Sequence, residues 1–390
     1  MSGYGFDVGG SDYDDEDRLV NWERDDTNLD QSWDLSLVGD WDEFTEYSSI
    51  QPRVHGDAHE LLSAASQSVN HDVKGNMTVI PAVLRPGSDP LNLTWDFDNR
   101  LSSADVDNDS TDDVFYEWDA LGRRVARDDG TTDTIFVQNG QQTIADYTSG
   151  TAATSPTYTY VYASYIDEPV VRDGTGGLRY YHRTQQYSVN ALTDSSGTIK
   201  ERYAYDAYGG LSVFDGSGTA RTKTAEDNRC TYTCREYDDV LDLYHYRARM
   251  YDSIAGRFCS RDPIGYRDGV NLYRYVGNMP LTFVDPTGKY IGGHGGINPT
   301  IPPKPKKPSE PEPEEPSYDI SFTRVVTCTR YPGPFGQTFL CIPRCGKNYK
   351  YKTGLYVILN EKCNIFTAFS CGHFLYYANQ GEDYWNSPII

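Results

Sequence analysis

A short phrase recurs along this chain and limits what it can become: an aromatic residue, an aspartate, then a turn. The clearest copies are Trp118-Asp119-Ala-Leu-Gly-Arg-Arg and Tyr205-Asp206-Ala-Tyr-Gly-Gly-Leu, with looser ones at Tyr13-Asp14, Phe97-Asp98 and Tyr251-Asp252. Each follows a stretch such as 113–118 or 201–205 whose alternation has a period of two, the mark of a strand. The aspartate accepts hydrogen bonds from the turn backbone and a glycine supplies a positive φ, so the unit is strand, turn, strand. A lone hairpin is marginal in water, whereas copies in series bury their aromatic faces against one another. The 32 tyrosines against 4 methionines fit pleated sheets better than a helix bundle. The expected fold class is therefore mainly β, with hairpins joined into a curved sheet or partial shell.

Downstream the phrases become denser. In order come Tyr187-Ser-Val-Asn-Ala-Leu-Thr-Asp194, Arg235-Glu-Tyr-Asp238 and Leu243-Tyr-His-Tyr-Arg-Ala-Arg-Met-Tyr-Asp252. Gly256-Arg-Phe-Cys-Ser-Arg-Asp-Pro-Ile-Gly265, Asn271-Leu-Tyr-Arg-Tyr-Val-Gly-Asn278 and Phe283-Val-Asp-Pro-Thr-Gly288 follow. This ordered set, with the Tyr-Asp repeats before it, resembles the bacterial RHS, or YD-repeat, proteins. The resemblance implies degenerate repeats over 1–182 and an RHS repeat-associated core over 183–289. Proteins of that family commonly build a hollow β shell around a variable C-terminal segment, often a toxin.

After Gly288 the character changes. Residues 292–296 are Gly-Gly-His-Gly-Gly, and residues 301–316 hold seven prolines among Lys and Glu. Such a stretch cannot pack a core, so 290–316 reads as a linker. Residues 317–390 then form a small Cys-rich domain, β or α+β. Charge divides the same way: the chain carries −22 overall, residues 1–50 hold 15 acidic and 2 basic side chains, and residues 317–390 hold 4 acidic and 7 basic. An acidic body is a poor partner for nucleic acid, although its wall would attract a basic tail.

The constellation with the most chemical content is the pair Asp262-Pro263-Ile264-Gly265 and Asp285-Pro286-Thr287-Gly288. Each alone is the common β-turn formula. Together they acquire another meaning, because 272–276 reads as a strand, 277–280 as a turn and 281–284 as a returning strand, which brings the two aspartates close. Carboxylates held close cannot both ionise easily, so one keeps a proton and the two can serve as acid and base. The family resemblance implies an aspartyl autoprotease here, with Asp262 and Asp285 as catalytic carboxylates, Arg261 as an electrostatic partner and Lys289-Tyr290 as the bond cut. Self-cleaving members usually carry Leu after each of these glycines, where this chain has Tyr266 and Lys289.

Three further groups of residues carry weaker signals. Asp105, Asp107 and Asp109 alternate as calcium ligands do, but the glycine and glutamate of a calcium loop are replaced by Ser110 and Tyr116, which favours a solvated acidic loop. Cys328, Cys341, Cys345, Cys363 and Cys371, with His373, suit disulfides in an oxidising compartment or a zinc site. Cys234 and Cys259 read as packing residues. No cofactor is expected beyond these zinc and calcium readings.

Two functions follow as expectations. One is an RHS shell protein that encloses or presents its own C-terminal domain, a self-cleaved toxin with an immunity protein as counterpart. The other is a surface or wall-associated protein whose repeats bind a glycan or protein. No apolar run spans a membrane, and Met1 opens without a charged-then-apolar leader. The handful of repeats is short for a closed shell, so a partial cassette is expected. Its destination, judged from the family and the tail, is the cell surface or the exterior.

Overall fold

The computed structural model describes residues 6–7, 12–292, 326–333, 336–343, 355–359 and 365–370. Two compact units divide the chain, Met1–Pro302 and Pro303–Ile390. Among the described residues there are strands and short 3-10 turns, and no helix is long and apolar enough to cross a membrane.

The first unit is built from hairpins laid down in chain order. Seven strands from Phe6–Asp7 to Gln67–Ser68 form one antiparallel sheet, and fifteen from Asn70–His71 to Ala220–Arg221 form a second. A small four-stranded sheet follows: Glu236–Asp238, Leu243–His245, Met250–Asp252 and Arg257–Phe258.

The recurring aspartate does what its chemistry requires. Asp119 Oδ1 accepts the backbone N–H of Leu121 at 2.9 Å and of Arg123 at 3.0 Å. Asp206 Oδ1 takes those of Tyr208 at 2.9 Å and Gly210 at 2.6 Å. Asp14, Asp72, Asp194 and Asp215 repeat the same i+2, i+4 pattern. The copy expected at Phe97-Asp98 is shifted by two residues. Asp96 is the turn acceptor, from Asp98 and Arg100, while Phe97 lies exposed.

Just before four of these turns the ladder slips by one residue, at His71, Trp95, Trp118 and Thr193, and two of these residues are tryptophans. A bulge re-aims a side chain, and each indole N–H donates to a carbonyl of the preceding part of the sheet, Met77 at 2.6 Å and Leu101 at 2.8 Å.

The sheets are not independent of the segment that follows them. Leu61, Met77, Ile80, Leu91, Leu101 and Val114 pack with Leu241, Leu243, Met250, Ala255 and Cys259 in one apolar cluster. Trp22, Trp33 and Trp41 join Tyr208, Tyr232, Tyr244, Tyr246, Tyr251, Tyr275 and Phe258 in another. The expected segment boundary at 182–183 thus lies inside the long sheet, near its strand Arg179–Arg183, and residues on both sides of it share a core.

The second unit contains a four-stranded antiparallel meander, Val326–Gly333, Gly336–Pro343, Leu355–Leu359 and Ile365–Ser370.

Candidate functional site

Residues 262–292 do not form the expected hairpin. Where 272–276 and 281–284 read as strands, the structure has a 3-10 turn at Val276–Asn278 and two isolated bridges, Arg257 with Arg274 and Val284 with Gly292. The physical reason lies in the packing. Tyr273 and Tyr275 are fully buried between neighbouring segments, so their backbone is spent on tertiary contacts instead of a ladder with 281–284.

The two Asp-Pro-x-Gly turns nevertheless meet, on an arginine that sequence reasoning missed. Arg249 Nη2 lies 3.2 Å from Asp262 Oδ2 and 3.5 Å from Asp285 Oδ2, with all three side chains buried. Its Nε donates to the Gly288 carbonyl at 2.5 Å and its Nη1 to the Leu272 carbonyl at 3.1 Å. The guanidinium also stacks 3.5 Å from the centre of the Phe258 ring. It stands in Tyr246-Arg-Ala-Arg249-Met, one of several arginines there, and nothing in that spacing singles it out.

Arg261, expected beside the carboxylates, is engaged elsewhere: its Nη2 pairs with Glu60 and its Nε donates to the Tyr273 hydroxyl at 3.2 Å. A side chain adjacent to Asp262 on an extended backbone points to the other side, which is why it cannot share that carboxylate's surroundings.

The second turn is tightly made. Asp285 Oδ1 accepts the backbone N–H groups of Thr287 at 3.1 Å, Gly288 at 2.8 Å and Lys289 at 3.2 Å. Gly288 sits at φ +68°, and a Cβ there would stand 2.2 Å from the Tyr246 carbonyl oxygen. Beyond it, Lys289 and Tyr290 are exposed, and reciprocal Val284–Gly292 hydrogen bonds of 3.1 and 2.6 Å close the loop that carries them.

Burial raises the pKa of both Asp262 and Asp285, with the Arg249 charge opposing it. A third carboxylate belongs to the group: Asp268 is pushed up to about 6, by burial first and then by the nearby Asp285 and Asp262 charges. Asp262 and Asp268 line the same small cavity, of ≈ 10 Å³, the order of one water's site. Two buried carboxyls with raised pKa values, bridged by a guanidinium that also holds the Gly288 carbonyl one peptide before Lys289-Tyr290, have the elements of acid–base chemistry.

The remaining expected residues are placed as follows. Carboxylate oxygens of Asp105, Asp107 and Asp109 gather within 4.8 Å of one another, and Asp105 accepts the backbone N–H groups of Asp109 and Ser110. Cys234, expected to pack as a thiol, is bonded to Cys230, while Cys259 is a buried free thiol. The backbone register sets Cys328 opposite Cys341. Cys345, Cys363, Cys371 and His373 lie outside the described residues.

No family model matches the chain. Among curated proteins it is similar to tRNA nuclease WapA of Bacillus subtilis, 25% identical over 237 residues that make up 60% of this chain and 10% of that protein. Toxin subunit YenC1 of Yersinia entomophaga is 37% identical over 112 residues, 28% of this chain and 11% of its own. Probable deoxyribonuclease RhsA of Dickeya dadantii is 24% identical over 251 residues, 63% of this chain and 16% of that protein. The chain thus spans about a tenth of the length of the first two. The crystal structure of TcdB2-TccC3-TEV aligns with a TM-score of 0.41 at 18% identity, covering 73% of this chain and 18% of the other. These likenesses agree with the ordered Tyr-Asp phrases of the sequence, and the chain belongs to the RHS, or YD-repeat, family.

Proposed function

We propose that residues 1–292 are wall and plug of an RHS shell, and that their two Asp-Pro-x-Gly turns cut the chain at Lys289-Tyr290 to free the segment beyond. The observation that carries this reading is the single guanidinium of Arg249, which holds Asp262, Asp285 and the Gly288 carbonyl at once. One carboxylate, ionised, takes a proton from a solvent water as its oxygen attacks the Lys289 carbonyl carbon. The other, protonated, gives its proton to the departing Tyr290 nitrogen, and the C–N bond breaks. Lys289 in place of the usual Leu is tolerable because the residue is exposed and its ammonium stays in water. Residues 317–390 would be the cargo. The chain's similarity to proteins named as nucleases and a toxin subunit suggests a toxin.

Intact-mass analysis of the purified 390-residue chain tests this reading. The expected products end at Lys289 and begin at Tyr290, and Asp262→Asn or Asp285→Asn leaves one full-length species. A wild-type chain that stays whole on prolonged incubation would sink the proposal and favour a surface protein that keeps its tail attached.

A further inference from the structure

A second site lies away from the carboxylate pair. A cleft of ≈ 700 Å³, mouth included, opens between the long sheet and the segment around 229–247, and Arg123, Arg124, Arg229, Arg235 and Arg247 all line it. Its interior gives ≈ 50 Å³ to the centres of water-sized bodies, room for roughly three to five waters at about 10–15 Å³ each.

Carboxylates only partly answer these cations. Glu236 pairs with Arg124, and Asp167 with both Arg235 and Arg247. Arg229 turns to Asp146 at 2.9 Å, and Arg123 to Asp119 at 2.6 Å. After these pairs are made, Arg124 Nε and Nη1 and Arg235 Nε remain buried with no acceptor. Those two side chains are 3% and 5% exposed. A buried guanidinium donor without a partner is costly and cannot be relieved by giving up the proton at neutral pH. The crowding is visible in Arg235, whose pKa falls to about 9 because it is buried and faces Arg247.

We propose that this cleft binds a small tetrahedral oxyanion, of the phosphate or sulfate class, held by the donors left over on Arg124, Arg229 and Arg235. Four oxygens fill the space that three to five waters would take, and offer charge-assisted acceptors to Arg124 Nε and Nη1, Arg235 Nε and Arg229 Nη1. No residue of the Asp262–Asp285–Arg249 group is needed for this, so the site stands or falls apart from self-cleavage.

The test titrates inorganic phosphate into the full chain at constant ionic strength balanced with potassium chloride, followed by calorimetry and by the thermal midpoint. Saturable 1:1 binding and a midpoint that climbs with phosphate concentration are expected. Arg124→Gln should weaken binding at least about tenfold. Arg123→Gln, at the rim and less threatening to the fold, should weaken it by a few-fold and serves if the first variant does not fold. Absence of saturable binding, or equal affinity in wild type and both variants, would overturn the proposal. So would acetate binding as tightly as phosphate, which would make the site one for carboxylates.

Discussion

Replacing Arg249 by Met puts the joint between the two turns to the test. The guanidinium side chain is 2% exposed, and those of Asp262 and Asp285 are 5% and 3% exposed, so its loss strands two buried carboxylates. It also leaves the carbonyls of Gly288 and Leu272 without a donor. Removing one partner of a buried ion pair costs on the order of 3–5 kcal/mol, a large part of the roughly 5–15 kcal/mol that holds a domain together. The cost depends on pH in a defined direction. Both aspartates already have folded pKa values above the ordinary 3.8, and without Arg249 they rise further. A carboxyl with a raised folded pKa binds its proton more tightly in the native state, so stability falls as pH climbs from the unfolded value through the folded one. The deficit of the variant should therefore be largest at pH 8 and shrink by pH 5. Urea unfolding followed by fluorescence of the buried Trp22, Trp33 and Trp41 reads it. Adding Asp285→Asn to Arg249→Met should restore part of the loss at pH 8. An equal deficit at both pH values, or a double-mutant coupling below about 0.5 kcal/mol, would refute the reasoning.

Gly288→Ala places a Cβ 2.2 Å from a backbone oxygen at φ +68°, whereas Gly265→Ala meets nothing within 4 Å at φ +66°. Urea midpoints should show about 2–4 kcal/mol lost at the first and about 1–2 kcal/mol at the second, the strain of a left-handed residue alone. Asp252 is buried with Oδ2 unpartnered and its pKa raised to about 6, by burial above all. It should cost stability as pH rises from about 4 to 6, by about 3 kcal/mol at full ionisation, and Asp252→Asn should remove that slope. Comparison with the variant is needed because half-buried His71, lowered to about 4 chiefly by desolvation, acts oppositely, losing stability as pH falls below 6.5. Tyr251 is fully buried and its hydroxyl donates to the Tyr208 carbonyl at 2.8 Å, so Tyr251→Phe should cost about 1–2 kcal/mol, measured by calorimetric melting.

What could be read from the sequence was what is local. The turn aspartates at 14, 119 and 206 act through residues two and four positions on, and the alternating stretches near 113–118 and 201–205 are the strands Val114–Trp118 and Ile199–Tyr205. The slip at Phe97-Asp98 arose because Trp95-Asp96 carries the same phrase two residues earlier, with Asn99 at the positive φ that Gly122 takes in the Trp118-Asp119 copy. The meeting of Asp262 and Asp285 was anticipated, but through a hairpin that does not form. What brings them together is a cation 13 and 36 residues before them, a distance over which neither period nor turn chemistry carries a signal. Likewise the Cys230–Cys234 bond had no cue beyond spacing.

The packing of the first sheet has a consequence for the order of synthesis. Gly39 receives a hydrogen bond from Asn278, 239 residues later, and Arg53 donates to Ala255, 202 residues later. Trp22, Trp33 and Trp41, on strands of the same sheet, find Tyr208, Tyr244 and Tyr251 only after those have been made. At about 5–20 residues per second, the early strands wait on the order of ten to forty seconds with their indoles uncovered. Until residues 230–280 have been made, the apolar faces of the early strands lack the partners that cover them in the folded chain.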